Sequence, residues 1–408
     1  MTPLTIAVVS TYYRPVLGGA EAAAERLAAF LARRGHRIIV LTKRTSPSSP
    51  STETRDRVEV NRLLPIGERS SLGKWRFVPT VYRALLLRAE EIDVVCCVDY
   101  RGIGLAALAA RRRTRTPVVF QAQTEGVLSG ARIRGWLEHL AINPAGPVAR
   151  LATLPIRSMY GRADAIGCIS HAIEREALAE GVPQARIHYL PNPVDTRRFS
   201  PAGADERRLL RDQLGVPQDS VLAAFVGRLS REKGAVELIQ AWAMARPAGR
   251  LAVIGPAMAD HPWDVSRDVR ELVRHHQLEE SVLLLGGMPV DQVASWLRAA
   301  DYAVQPSHFE AMGLAAAEAM AAGLPVIASD TGGYRDFIVS EQNGLLVPPK
   351  DVAALSVAIG RLAGDAALRS RLGTQARLTA EQFDEELVLG RFERLVIELA
   401  GARGRRRA

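Results

Sequence analysis

Two glutamates near residue 310 lie a little over two helical turns apart, beside a helix start that could bind an anion. Glu310 follows a short apolar segment and stands at the start of an Ala-rich helical segment, and Glu318 comes seven intervening residues later. Backbone N–H groups at a helix start bind anions such as a diphosphate. Here those groups belong to Ala311, Met312, Gly313 and Leu314. Taken separately, Glu310 is more typical of a helix-start acid and Glu318 of a solvated helix face than of a ligand site.

A loop near residue 230 carries two cations close together. Residues 225–234 read FVGRLSREKG, an apolar strand followed by a loop with Arg228 and Lys233. An Arg forms bidentate contacts with phosphate oxygens, and a Lys supplies a point charge. Lys233 is one of four lysines in an Arg-rich chain. The loop is therefore a candidate anion site, with a solvated basic loop as the alternative and Arg231 as the expected surface residue.

A glycine pair follows the first predicted strand. Gly18 and Gly19 stand in the loop before the first predicted helix. Glycines there let the backbone approach a phosphate or a sugar closely, although such pairs are also common in turns. The loop does not match G-x-G-x-x-G, which argues against a dinucleotide-binding site.

The 310–326 segment resembles the E-x7-E signature of the retaining nucleotide-sugar glycosyltransferases with the GT-B fold, glycosyltransferase family 4 (glycosyl transferases group 1). The likeness continues through EAMAAGLPV at 318–326 and TGG at 331–333. The FVGRLSREKG segment resembles the strand–loop motif of the same family. The resemblance covers most of the chain, and its specific motifs lie mainly between residues 190 and 349.

The resemblance implies a role for each donor-site residue. Arg228 and Lys233 hold the diphosphate together with the N–H groups of 311–314, Glu310 positions sugar hydroxyls, and Glu318 binds the ribose. Fixed cations stabilise the charge that develops on a leaving diphosphate. The expected catalytic residues are thus Glu310, Arg228 and Lys233.

The first half of the chain resembles the family less closely. The family has a similar Gly-Gly loop facing the donor, which supports Gly18 and Gly19. Many relatives carry a His after the strand that matches 118–120, where this sequence has Gln123. A Gln side chain hydrogen-bonds a sugar hydroxyl but cannot act as a base near neutral pH. The resemblance implies front-face retaining transfer, in which the leaving phosphate takes the acceptor proton, and this departure is compatible with that mechanism.

The acceptor side has weaker candidates. Gln123, Glu125 and Trp136 are the residues that we expect there. Residues 132–160 combine an apolar helical face with basic residues, and such a region suits either a membrane surface that presents a lipid-linked acceptor or an ordinary core-facing helix pair. The core-facing helix pair is the favoured interpretation.

Short apolar segments alternate with helical segments along the whole chain. They stand at 6–9, 38–41, 94–98, 117–120 and 165–169, and again at 221–226, 251–254, 282–285, 302–304 and 326–328. Continuously apolar strands separated by helices are typical of parallel sheets covered on both faces. We therefore predict an α/β protein of the GT-B class, with two doubly wound Rossmann-like domains facing a central cleft. The polar stretch 42–54 is expected to be a loop.

The predicted domain boundary lies in the Pro-punctuated segment PNPVD at 191–195. Residues 1–195 form the predicted acceptor-binding domain and residues 196–381 the predicted nucleotide-sugar donor domain. A C-terminal helix at about 382–408 is expected to pack back on the first domain.

The charge of the chain is unevenly distributed. Residues 1–200 hold 29 Lys and Arg against 17 Asp and Glu, whereas residues 201–408 carry a net charge of −3. A basic half is compatible with an anionic membrane, a phosphorylated acceptor or nucleic acid. Arg111 to Arg115 fit an anionic surface or simply a solvated helix end. The expected partners are the nucleotide-sugar donor and a glycan or lipid-linked acceptor, with peripheral membrane contact kept open and no nucleic acid.

Cofactors and location follow from further residue patterns. Cys96, Cys97 and Cys168 have neither disulfide nor zinc spacing, and their apolar surroundings predict buried thiols in a reducing compartment. Residues 1–10 lack the pattern of a secretory signal, and no apolar run approaches the ~20 residues that span a bilayer. We expect a cytoplasmic protein, with contact at the inner face of the membrane kept open, and no cofactor or metal beyond the nucleotide-sugar co-substrate.

The leading hypothesis is transfer of a hexose-type sugar from a UDP- or GDP-sugar to a glycan, glycolipid or lipid-linked acceptor in cell-envelope or polysaccharide biosynthesis. A nucleotide-sugar epimerase on the same architecture is an enzymatic alternative. A non-catalytic protein that kept the fold is a second alternative, which the missing His favours and the complete set of Arg228, Lys233, Glu310 and Glu318 disfavours. A nucleic-acid-binding protein is the third, and salt-sensitive affinity would reveal it.

Overall fold

The computed structural model describes residues 3–15, 19–66, 71–98, 101–130, 138, 142–143, 146–258 and 261–407. The chain divides into two compact units. Unit 1 contains residues 1–191 and 388–408, and unit 2 contains residues 192–387.

Unit 1 alternates strands and helices along the chain. Its strands are β1 (Thr5–Val9), β2 (Arg37–Lys43), β3 (Thr52–Arg55), β4 (Val58–Leu63), β5 (Val94–Cys97), β6 (Val118–Ala122), β7 (Ala165–Cys168) and β8 (Ile187–Tyr189). Its helices are α1 (Gly19–Arg33), α2 (Ser71–Leu87), α3 (Arg101–Thr114), α4 (Pro147–Tyr160) and α5 (His171–Ala179).

The strands of unit 1 form a sheet in the order β3-β4-β2-β1-β5-β6-β7-β8. All neighbours pair in parallel except β3 and β4, which are antiparallel. Strands β1, β5, β6 and β7 are almost completely buried, because helices cover both faces of such a sheet.

Unit 2 repeats this alternation. Its strands are β9 (Val221–Val226), β10 (Gly249–Ile254), β11 (Val282–Gly286), β12 (Tyr302–Gln305), β13 (Val326–Ser329) and β14 (Gly344–Val347). Its helices are α6 (Ala204–Leu214), α7 (Ala235–Ala245), α8 (Ser266–His275), α9 (Val290–Ala299), α10 (Leu314–Ala321), α11 (Val352–Gly364) and α12 (Ala366–Ala380). A last helix, α13 (Glu385–Arg407), begins in unit 2 and continues into unit 1.

The sheet of unit 2 is parallel throughout, in the order β11-β10-β9-β12-β13-β14. Trp242 of α7 and Tyr302 of β12 are fully buried in its core. In unit 1, Leu389 and Phe392 of α13 pack into the same core as β1 and β2, so the end of the chain completes that core.

The predicted α/β class with two Rossmann-like sheets is confirmed. The polar stretch 42–54 is shorter as a loop than predicted, because Thr42 and Lys43 complete β2 and 52–54 belong to β3. The three cysteines are buried, as predicted. Burial raises the pKa of Cys168 to about 12, so its thiol stays protonated and unreactive near neutral pH.

Candidate donor site

Lys233 and Glu310 are in direct contact in unit 2. The Lys233 Nζ atom donates to Glu310 Oε2 at 2.5 Å, across 77 residues of sequence. Both side chains are about four-fifths buried, with exposed fractions of 22% and 17%. A partly buried ion pair of this kind presents a fixed cation and a fixed carboxylate side by side, which suits a ligand with both a phosphate and hydroxyl groups.

The loop after β9 holds Lys233 through its backbone. Residues Arg231–Lys233 form a short 3₁₀ helix that ends at Gly234, whose φ is 69°. A side chain at Gly234 would collide with the carbonyl of Pro306, so glycine permits the two loops to approach. The backbone N–H of His308 then donates to the carbonyl of Glu232 at 2.8 Å. These backbone contacts fix the loop after β9 against the loop after β12.

Arg228 lies in the same loop but has a different partner. Its guanidinium donates to Glu232 at 2.8 Å, and 52% of its side chain is exposed. Exposed ion pairs of this kind contribute little to stability, so the Arg228 side chain can change partner at low cost. The structure thus joins Lys233 to Glu310 and leaves the Arg228 side chain half-exposed and paired with Glu232.

The loop 306–313 leads from β12 to α10. Gly313 caps the helix with φ 91°, and α10 begins at Leu314, so Glu310 lies in the loop four residues before the helix and not at its start as the sequence suggested. Within the described ranges, the backbone N–H groups of Ala311, Met312, Gly313 and Leu314 have no hydrogen-bond acceptor. Leu314 belongs to the first turn of α10 and the other three residues to the loop before it. Unpaired N–H groups in this position are a candidate anion site.

Glu318 lies in the middle of α10 and is 8% exposed. This burial rules out the solvated-face interpretation of Glu318, because a solvated face residue would be largely exposed. A buried carboxylate is retained only where it is paired or hydrogen-bonded.

A third loop, after β13, packs beneath Glu310. The backbone N–H of Gly333 donates to the Glu310 carbonyl at 2.9 Å. Gly332 has φ 46°, and a Cβ atom there would lie closer than 3.0 Å to the same carbonyl oxygen. The TGG segment at 331–333 therefore supports the backbone that carries Glu310.

Replacing Gly332 with Ala is expected to disturb this support. Gly215 is a matched control, since it has φ 67° but no atom within 4 Å of a new Cβ. Gly215→Ala adds only backbone strain, about 1–2 kcal/mol, whereas Gly332→Ala adds about 1–3 kcal/mol more from overpacking. Urea unfolding and nucleoside diphosphate binding measure both effects. Equal losses in the two variants would show that Gly332 does not position Glu310.

The loops after β9, β12 and β13, at 227–234, 306–313 and 330–333, are here called the donor loops. Two residues near them were not singled out as site residues from the sequence. The Tyr334 hydroxyl lies 3.2 Å from Ser307 Oγ, and burial raises the pKa of Tyr334 well above its usual value, so the phenol stays neutral. The Asn192 backbone N–H donates to the Met312 sulfur at 3.1 Å, and within the described residues its buried Oδ1 atom has no hydrogen-bond partner. Neither residue has a sequence signal beyond its position beside a glycine or proline motif.

The predicted residues of unit 1 are described only in part. Gln123 directly follows β6, half-buried, and its Nε2 atom makes no hydrogen bond to any residue that the structure describes. Glu125 lies two residues further, in a turn. Gly19 begins α1, while Gly18 and Trp136 lie outside the described residues.

Glu176 organises the turn after β6. Its carboxylate accepts from the backbone N–H groups of Gly126 and Ser129 at 2.8 and 2.7 Å, and from the Ser129 hydroxyl. These hydrogen bonds fix the path of the chain that follows Gln123.

Two family models together match most of the chain. The model described as "Glycosyl transferase 4-like domain" matches residues 18–193, and the model "Glycosyl transferases group 1" matches residues 206–379. The second match contains all the donor-loop residues described above.

Curated relatives match over nearly their whole length. A D-inositol 3-phosphate glycosyltransferase of Xylanimonas cellulosilytica is 32% identical, with 90% of this chain and 88% of the relative covered. A GDP-mannose-dependent alpha-mannosyltransferase of Mycobacterium tuberculosis is 28% identical, with 85% of each chain covered.

Solved structures agree on the fold. Sucrose-phosphate synthase from Thermosynechococcus elongatus superposes with a TM-score of 0.81 at 26% identity, covering 98% of this chain and all of the other. The Anabaena protein HepE in complex with UDP and glucose gives 0.74 at 21% identity, covering 96% and 98%. The chain therefore belongs to the nucleotide-sugar glycosyltransferases of group 1, the family 4 type with the GT-B fold.

Proposed function

We propose that this protein is a retaining hexosyltransferase that uses a UDP- or GDP-sugar and binds the donor in unit 2. The observation that carries the proposal is the contact of Lys233 with Glu310 directly before four unpaired backbone N–H groups. A cation and free N–H groups bind a diphosphate, and the carboxylate binds hydroxyl groups of the adjoining sugar.

The donor diphosphate lies between the loop after β9 and the start of α10. Lys233 and the N–H groups of 311–314 bind its oxygens, and Arg228 leaves Glu232 to join them. As the bond to the sugar breaks, negative charge moves onto the diphosphate, and these groups stabilise it. The proposal assigns this charge to protein groups and includes no metal.

Transfer takes place at the front face of the sugar. The acceptor hydroxyl attacks from the side of the leaving diphosphate, whose oxygen takes the proton, so no imidazole is needed where Gln123 stands. Glu310 orients the sugar hydroxyls, and Glu318 binds the ribose. Retention of configuration at the sugar carbon follows from attack on the same face.

The acceptor is a glycan, glycolipid or lipid-linked molecule at the inner face of the membrane, used in cell-envelope or polysaccharide biosynthesis. Exposed side chains of α4 support membrane contact: Val148, Leu151 and Leu154 are 57%, 73% and 57% exposed. The favoured core-facing interpretation of this region is therefore wrong for these three residues. An exposed apolar stripe beside Arg150 suits the surface of an anionic bilayer. No helix among the described residues is long and apolar enough to span one.

A phosphorylated polyol is a second candidate acceptor. The relative with 32% identity is named for D-inositol 3-phosphate, and the net positive charge of residues 1–200 suits a phosphorylated acceptor.

Thermal stability with nucleoside diphosphates tests the donor assignment. A ligand at ~100 times its dissociation constant adds about 2.7 kcal/mol, which raises Tm by several degrees. We expect UDP or GDP to give this shift, with ADP and the matching nucleoside monophosphate as controls. Sugar nucleotides that carry the selected base are then tested one by one. The one from which the enzyme releases the nucleoside diphosphate identifies the sugar.

Two results would contradict the proposal. No shift with any nucleoside diphosphate would remove the donor site and favour a non-catalytic role. Release of an inverted sugar product would exclude the retaining mechanism, even with the donor site intact.

A further inference from the structure

Two clefts in unit 1 share a wall of arginine side chains. Each has a volume of about 520 Å³, the size of an ordinary small-molecule site. Among the described lining residues, the basic ones are Arg111, Arg112, Arg115, Arg162, Arg186 and Arg403, and the acidic one is Asp164. The shared wall, made by Arg111, Arg112 and Arg186, faces both clefts. The clefts therefore carry a large excess of positive charge.

These clefts lie away from the predicted acceptor residues of unit 1. Pro117 and Asp164 line the first cleft and Arg186 lines both, and these residues directly precede β6, β7 and β8. Gln123 directly follows β6, at the carboxyl end of the same strand. The amino and carboxyl ends of parallel strands are at opposite edges of a sheet, about 16 Å apart for a five-residue strand. The clefts are thus a separate feature.

Three of the arginines are fixed by the protein itself. Arg111 makes two hydrogen bonds of 2.6 Å to Asp164, which neutralises that carboxylate. Arg186 and Arg403 donate to backbone carbonyls. These contacts explain the three side chains as structural.

The other three have no such explanation. Arg112, Arg115 and Arg162 are exposed, and in the part of the chain that the structure describes their side chains form no hydrogen bond or ion pair. Arginine in the last turn of α3 is favourable for the helix dipole, which accounts for Arg112. The dipole equally favours Arg115 and Arg162, which lie within two residues of the ends of α3 and α4. It does not explain why the guanidinium groups of these arginines line clefts. Arg112 lines both clefts, Arg115 only the first and Arg162 only the second. Guanidinium groups that line one cleft repel each other unless an anion lies between them.

We propose that these clefts bind a phosphate-bearing ligand through Arg112, which lines both, with Arg115 in the first cleft and Arg162 in the second. Guanidinium groups form bidentate contacts with phosphate oxygens, and the clefts have room for the rest of a phosphate ester. Both a soluble phosphate compound and the headgroup of an anionic phospholipid present this chemistry. The site is independent of the donor site in unit 2.

Binding of two probes tests the proposal and separates the two sources. The first probe is inorganic pyrophosphate, measured by calorimetry on full-length Lys233→Ala protein, in which binding at the proposed donor site is weakened. The second is co-sedimentation with phosphatidylglycerol vesicles, compared with phosphatidylcholine vesicles. The test variant is Arg112→Ala/Arg115→Ala. The control is Arg113→Ala, since Arg113 is exposed at the same helix end but does not line either cleft.

We expect the double variant to weaken binding of at least one probe tenfold or more, and Arg113→Ala to change it less than twofold. Loss with pyrophosphate identifies a soluble ligand. Loss with phosphatidylglycerol vesicles alone identifies a lipid headgroup. Absence of binding to both probes, or an equal loss in Arg113→Ala, would overturn the proposal. All three residues are exposed, and an unchanged Tm verifies that the variants fold.

Discussion

Replacing Lys233 with Ala is expected to lower sugar-nucleotide turnover by about 10²–10³-fold. Lys233 is a partly buried cation of the donor loops, 2.5 Å from Glu310, and no other described lysine lies in them. Removal of one preorganised group that stabilises developing charge typically costs about 2.7–4 kcal/mol of transition-state stabilisation. Nucleoside diphosphate affinity should fall about ten- to a hundredfold as well, because the same cation binds the ground-state diphosphate.

Arg231→Ala is the matched control for this variant. Arg231 begins the same 3₁₀ helix as Lys233, but its side chain is exposed. Turnover is measured as nucleoside diphosphate released in water from the sugar nucleotide that stabilises the protein, and affinity by calorimetry. Normal turnover in Lys233→Ala, or equal losses in both variants, would remove Lys233 from the site.

The fold was largely predictable because buried parallel strands have a strong local signal. Segments such as 6–9 and 221–226 are continuously apolar, and both became central strands. Strands β3, β4, β8 and β14 were missed. Three of them, β3, β8 and β14, lie at sheet edges, and β4 alternates buried and half-buried residues and is not continuously apolar. The loop between β2 and β3, residues 44–51, is shorter than predicted in part because β3 was missed.

The donor site was predictable from residue types but not in its contacts. The sequence indicated Lys233 and Glu310 separately, and only the folded chain joins them over 77 residues. Glu310 lies before α10 because the left-handed backbone of Gly313 sets the start of the helix. From the sequence alone, the high helix propensity of the Ala-rich segment predicts an earlier start. Tyr334 and Asn192 reach the loops through tertiary packing, which no local pattern encodes.

The exchange of Glu310 for Gln is expected to separate turnover from binding. The variant keeps the size of the side chain and removes its charge, so the sugar hydroxyls lose a charged acceptor. Turnover should fall about 10²-fold. Nucleoside diphosphate binding should stay as tight as in the wild type or become tighter, because a carboxylate beside Lys233 competes with the diphosphate for that cation.

Glu341→Gln is the control, because Glu341 is an ion-paired glutamate of the same unit outside the donor loops. It binds Arg361 at 2.6 and 3.0 Å, and that guanidinium holds the pKa of Glu341 below its usual value. Its loss should leave both turnover and binding unchanged.

The two donor-loop variants then differ in sign: Lys233→Ala weakens diphosphate binding, whereas Glu310→Gln does not. Weaker binding in Glu310→Gln would mean that Glu310 holds the loops and does not act on the sugar. Full turnover in Glu310→Gln would exclude it from the reaction altogether.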